Sequence, residues 1–166
     1  GGDLREPADE IHRADVICIT RHTAENNRTK IKATVKQNIP ILKTTLRLKS
    51  ILRVDTGDPL DMEMLRDQKV AAFCGIAKPN NFRYILNRLH ARLVLYQSFP
   101  DHHAYVPQEL KRIEKDALQA EAKFILTTGK DAVKLKDIFF SIPVLQVIID
   151  LEIIEGGEVF NQTILK

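Results

Sequence analysis

From residue 69 onward, short apolar runs alternate with stretches of helical period, and that alternation leaves few folds open. VAAFC (70–74) is a continuous apolar run. In PNNFRYILNRL (79–89), Phe82, Ile85, Leu86 and Leu89 recur at i, i+3, i+4 and i+7, with Pro79 at the start, so this segment reads as a helix. RLVLY (92–96) is the next strand. Pro107 opens a helix over 107–121 whose inner stripe is Leu110, Ile113, Ala117 and Leu118. KFILT (123–127) is a third strand, 130–139 a third and shorter helix, and PVLQVIIDLEII (143–154) a long fourth strand. Strand and helix in strict alternation build βαβ units and a parallel sheet. Right-handed crossovers then give an open α/β domain, a mostly parallel sheet with helices on both faces.

The front of the chain follows other rules. Residues 4–13 read as a short helix, and VICIT (16–20) as a buried strand. Residues 25–38 read as a surface helix with Ile31, Val35 and Ile39 in a narrow stripe, stopped by Pro40. Over 41–54 the period changes to two. Leu42, Leu46, Leu48, Leu52 and Val54 take even positions, and Lys43, Arg47, Lys49 and Arg53 take odd ones. That pattern predicts a half-exposed strand with leucines on one face and cations on the other. The turn-rich VDTGDPLD (54–61) marks a boundary.

Composition narrows the class. The 166 residues are 44% hydrophobic and 28% charged, too apolar for disorder and too charged for a membrane bundle. No apolar stretch reaches the roughly 18 residues that span a bilayer. The acidic, polar GGDLREPADE is not a signal peptide. Cys18 and Cys74 both lie in apolar runs, which points to buried thiols in a reducing compartment rather than a bridge. Net charge is only +3, yet Asn26 to Val54 holds eight cations and no acid. Such a segment attracts anions, with Lys43, Arg47, Lys49 and Arg53 as candidate contacts to acidic lipid, unless it is a solvated basic face. Nucleic acid is disfavoured, because there is no Trp and few aromatics interleave with the cations.

In a parallel sheet the loops that follow the strands gather on one rim, where ligands bind. Here they are GIAKPNN (75–81), SFPDHHAY (98–105) and TTGKD (127–131), and they carry most of the region's chemistry. Asp101 beside His102 and His103 offers a general base near neutrality, or metal ligands. Gly75 permits close backbone approach. TTGKD is not a P-loop, because Asp131 follows Lys130 and Phe124 stands where the first glycine belongs.

GDLREP (2–7), RADVICITR (13–21), KVAAFCGIAKPNNF (69–82), FPDHHAY (99–105) and TTGKDAVKL (127–135), in this order, resemble the tetraacyldisaccharide 4′-kinases. These lipid A pathway enzymes phosphorylate a membrane-embedded disaccharide with ATP and magnesium. The resemblance implies a C-terminal half whose Walker A loop lies upstream, inactive alone. It implies a division into a remnant of the P-loop domain (1–40), a β linker arm (41–61), a C-terminal α/β domain (62–147), and a returning linker strand and tail (148–166). It implies that His102 is the base that deprotonates the 4′-hydroxyl, with Asp101 orienting the loop. Arg5 and Glu6 fall near the nucleotide, and Asn81, Lys130 and Asp131 on the substrate side. Gly129 departs from the family's usual glutamate. ATP and Mg²⁺ belong to the full-length enzyme, with no cofactor and no metal site expected on this chain. The implied partners are an upstream P-loop domain, the lipid A precursor and a membrane surface, on the cytoplasmic face of the bacterial inner membrane.

Two other readings stand beside this one. Asp101-His102-His103 echoes the DHH metal phosphoesterases, which also need an earlier D-x-D on a strand end; Asp58 and Asp61 lie in a turn instead. The basic strand could equally make the chain a non-catalytic module that binds anionic lipid or a partner.

Overall fold

The computed structural model describes residues 7–20, 39–135 and 138–158. Arg5, Glu6 and the helix expected over 25–38 lie outside them. The chain forms two compact units, residues 48–150 and residues 1–47 with 151–166. Strands β2 (Ile41–Arg53) and β7 (Val144–Glu155) run through both.

In the larger unit, β4 (Lys69–Cys74) is central. It pairs in parallel with β5 (Arg92–Ser98) on one side and β6 (Phe124–Thr128) on the other. β6 pairs in parallel with the start of β7, and β3 (Pro59–Leu60) pairs antiparallel with the end of β2. Helix α1 (Pro79–Leu86) joins β4 to β5, and α2 (Pro107–Gln119) joins β5 to β6. The chain thus steps one way from β4 to β5, then back past β4 to β6. Right-handed crossovers in opposite directions place the two helices on opposite faces. The contacts agree. Leu110, Ile113 and Ala117 of α2 share a core with Ala71, Phe73 and Ile125. On the α1 side, Phe82 lies against Tyr96, whose hydroxyl donates to the Pro79 carbonyl at 2.7 Å. Both strand faces are covered, which is why β4 reads as an unbroken apolar run rather than an alternating one.

The mostly parallel sheet with helices follows the sequence reading, with two corrections. Leu118, expected in the inner stripe of α2, is exposed. The helix expected over 130–139 is a single turn, α3 (Gly129–Ala132). Val133 is exposed and Leu135 buried, so the apolar residues there do not share a helical stripe.

In the smaller unit, β1 (Ile17–Thr20) pairs in parallel with Ile41–Thr44 of β2. The expectation of a buried VICIT strand holds only for Ile17; Cys18 is an exposed free thiol, and Cys74 a buried one. Leu42, Lys43 and Thr44 are buried in succession. Period two does not hold over these three residues, so both faces of β2 are covered there. β7 leaves the sheet at Gly156, whose φ of +83° suits glycine. A Cβ there would stand 2.8 Å from the Ile41 carbonyl oxygen.

β7 is the neighbour of β2, and its charges answer those of the basic strand. Lys43 pairs with Glu155, Arg47 with Glu152 at 3.3 Å, and Lys49 with Asp150 at 3.5 Å. Residue numbers fall on β7 as they rise on β2, so the two run antiparallel. Arg53 is held by Asp55 at 2.7 Å. Arg47 and Lys49 are exposed on the odd face as expected, whereas Lys43 is buried.

Candidate functional site

The three loops on the C-terminal rim converge on one carboxylate. Asp131, in the α3 turn, is fully buried. Its Oδ2 accepts from the Gly75 backbone N–H at 3.0 Å and the Thr128 hydroxyl at 2.6 Å. Its Oδ1 accepts from the Tyr105 hydroxyl at 3.1 Å and Lys134 Nζ at 3.2 Å. Gly75 follows β4, Tyr105 follows β5, and Thr128 and Lys134 flank the turn after β6. Burial pushes the carboxyl pKa up, but the hydrogen bonds from Thr128, Gly75, Lys134 and Tyr105 outweigh it and hold the pKa below the usual aspartate value. The Tyr105 hydroxyl is pushed up by burial and by the Asp131 charge beside it, so it stays a donor.

This hub sits at the switch point of the sheet. The chain leaves β4 toward one face and β6 toward the other, which opens a crevice between neighbouring strands, the usual ligand position in such folds. Here Asp131 closes it. Gly75 makes the approach possible, since a Cβ there would lie 3.0 Å from the Tyr105 hydroxyl and 3.2 Å from Asp131 Oδ1.

From the hub the hold extends into the DHH loop. Lys134 Nζ also donates to the His103 carbonyl at 2.9 Å. The His103 ring stacks on Phe99 with centroids 4.7 Å apart and meets Tyr105 edge-on at 5.0 Å. His103 Nε2 lies 2.9 Å from Glu109 Oε2. Glu109 also accepts from the Val106 N–H, and these two contacts hold its carboxyl below the usual range. His103 is therefore a packed, hydrogen-bonded ring.

His102 is the opposite. Its side chain is 82% exposed, and its backbone sits at φ +58°. Asp101 accepts from the His102 N–H at 3.1 Å and has its other oxygen 3.7 Å from Nε2. A left-handed backbone is uncommon for a residue with a side chain and turns the imidazole out of the loop. The arrangement offers one free imidazole beside a carboxylate, on a loop clamped behind it, which is what a proton acceptor needs.

The sequence-predicted residues separate accordingly. Asp101, His102 and Lys130 are exposed on the rim. Asp131 is enclosed, with its oxygens given to protein donors, and so presents no face to a substrate. Asn81 lies in the first turn of α1 with Oδ1 buried and without a hydrogen-bond partner. Lys43, Arg47, Lys49 and Arg53 are each spoken for by a carboxylate. Tyr105, Thr128, Lys134 and Glu109 were not anticipated from sequence. Thr128 carried a signal, since Thr-x-x-Asp is a helix-start pattern, and its hydroxyl does accept from the Asp131 N–H.

No group of three His, Cys, Asp or Glu side chains among the described residues could hold a metal ion. In the TTGKD turn the Thr128 hydroxyl caps its own helical turn by accepting from the Asp131 N–H. A cavity of about 590 Å³ lies at the opposite edge of the sheet, where β7 starts. Leu135, Ile138, Phe140, Ile142 and Val144 line it together with the Arg53–Asp55 pair and Ser141, and it gathers none of the rim's chemistry.

Comparison with known proteins fits this geometry. The family described as tetraacyldisaccharide-1-P 4'-kinase (LpxK) matches residues 1–166. Tetraacyldisaccharide 4'-kinase of Syntrophus aciditrophicus is 33% identical over 145 residues, 81% of this chain and 39% of that protein. The same-named protein of Bdellovibrio bacteriovorus is 29% identical over 158 residues, 94% of this chain and 46% of that one. This chain therefore spans less than half the length of these relatives. Among solved structures, the "apo" form of LpxK from Aquifex aeolicus in complex with ATP superposes with a TM-score of 0.58 at 23% identity, covering 95% of this chain and 44% of that one. With the sheet, the rim motifs and the family match in agreement, the chain belongs to the tetraacyldisaccharide-1-P 4'-kinase family.

Proposed function

We propose that this chain is the acceptor-side part of a lipid A pathway kinase, one that transfers the γ-phosphate of ATP to the 4′-hydroxyl of a tetraacyldisaccharide 1-phosphate. The observation that carries the reading is the exposed His102 imidazole on a clamped rim loop, in a chain of this family. A sugar hydroxyl is a poor nucleophile until its proton has somewhere to go. His102 takes that proton, and Asp101 holds the turn by accepting from the His102 N–H. ATP supplies the phosphoryl group, and with Mg²⁺ it is held by the P-loop part of the longer protein. Lys130, exposed on the rim, and Asn81, in the first turn of α1, are the candidate contacts to the acceptor.

The protein works at the cytoplasmic face of the inner membrane as a peripheral enzyme. Among the described residues no helix is long and apolar enough to cross a bilayer. The ion pairs along β2 favour this enzymatic reading over a purely lipid-binding module, since the cations are already neutralised.

The test is reconstitution. The 166-residue chain alone is expected to transfer no phosphate from ATP. Joined to an upstream P-loop segment from a relative, it should phosphorylate the disaccharide. His102→Ala in that protein should lower turnover by about 10²-fold or more. Undiminished turnover removes His102 from the mechanism.

A further inference from the structure

The Asp131 carboxylate touches the loops after β4, β5 and β6 together. It is buried, ionised and saturated by four donors, yet it belongs to a turn of only four residues. A short turn does not need such an anchor for its own sake. What the anchor reaches explains it. Through Tyr105 it fixes the ring that walls His103, and through Lys134 it fixes the His103 carbonyl. His102 has no packing of its own and takes its direction from its neighbours in the chain.

We propose that Asp131 is a positioning residue. Its negative charge, placed at the switch point where a bound anion would otherwise sit, holds the loop that aims the His102 imidazole. The role of His102 rests on the kinase reading above; the hold on the loop does not. In this arrangement the domain carries its own internal anion. Four donors, from Gly75, Tyr105, Thr128 and Lys134, surround a site the size of a carboxylate, so an external carboxylate can replace the missing one.

The test is chemical rescue, read by NMR on the 166-residue chain. In Asp131→Ala, backbone order parameters over 101–105 should fall from about 0.85 to below about 0.6, and the His103 ring nitrogens should shift. The strands β4 and β6 should keep native chemical shifts. Excess sodium formate should restore both loop signals, whereas neutral formamide and sodium chloride should not. A folded Asp131→Ala variant with an unchanged loop overturns the proposal. So does a disordered loop that formate fails to restore, because that is a packing defect rather than a missing charge. Should Asp131→Ala fail to fold, Lys134→Met serves instead. It removes the Lys134 link to the His103 carbonyl and is expected to loosen 102–104 while β4 and β6 keep native chemical shifts; a loop as ordered as wild type then overturns the proposal. In the reconstituted kinase, Asp131→Ala should lower kcat with little change in KM for ATP, and formate should recover kcat. Failure of the kinase reading would leave no turnover in any variant, with the formate effect on the loop intact.

Discussion

Gly75 has no room for a side chain. A methyl group would meet the Tyr105 hydroxyl, His103 Cβ at 3.1 Å and Asp131 Oδ1 at once, and none of the three can retreat without losing a partner. Gly75→Ala is expected to cost about 1–3 kcal/mol in urea denaturation. Asp131→Asn puts an N–H among four donors, and its expected cost near neutral pH is about 3 kcal/mol. The pH dependence has a definite sign. The folded-state pKa of Asp131 is depressed, so its contribution is present above the unfolded value of about 3.9 and is lost as pH falls below it. The stability gap between wild type and Asp131→Asn should therefore close below about pH 4, as measured by denaturation across pH 2 to 7. A constant gap would show that the carboxylate charge is not what matters. Sequence placed Asp131 on the rim, and the structure shows its side chain buried and hydrogen-bonded there. Spacing shows that a residue lies at a strand end; it does not show whether the side chain turns out to a ligand or back into the protein.

At the scale of elements, the basic strand is the plainest case of a pattern that needed its partner. Eight cations without an acid over 26–54 look like an anion-binding surface. The acids that answer four of them lie at Asp55, Asp150, Glu152 and Glu155, three of them about a hundred residues away on β7. Exposure then grades the pairs. Glu152→Gln, which breaks an exposed pair with Arg47, is expected to cost less than about 1 kcal/mol. Glu155→Gln leaves the Lys43 ammonium buried without its carboxylate, and about 2 kcal/mol is expected. Equal effects in thermal or urea melts would mean that the burial of Lys43 carries no weight. The strands and the two full helices were legible because a buried face repeats with the period of its element. The turn at 129–132 was not, because its apolar residues pack singly rather than as a stripe.

For the whole molecule, the expected outcome is an acceptor-side half that transfers no phosphate until a P-loop segment is supplied, after which His102→Ala costs about 10²-fold. Sequence by itself determined the β/α alternation, the parallel sheet, the rim that bears GIAKPNN, FPDHHAY and TTGKD, and the family. These are local patterns, carried by side-chain period and by short runs of residues. Tertiary structure alone decided that Asp131 is enclosed and His102 is free, that His103 is caged by Phe99, Tyr105 and Glu109, and that the cations of β2 are neutralised. Those outcomes depend on which distant residues meet. Coulomb and hydrogen-bond energies fall off over a few ångströms, so a charge's role is set by what folding brings beside it, not by its place in the chain.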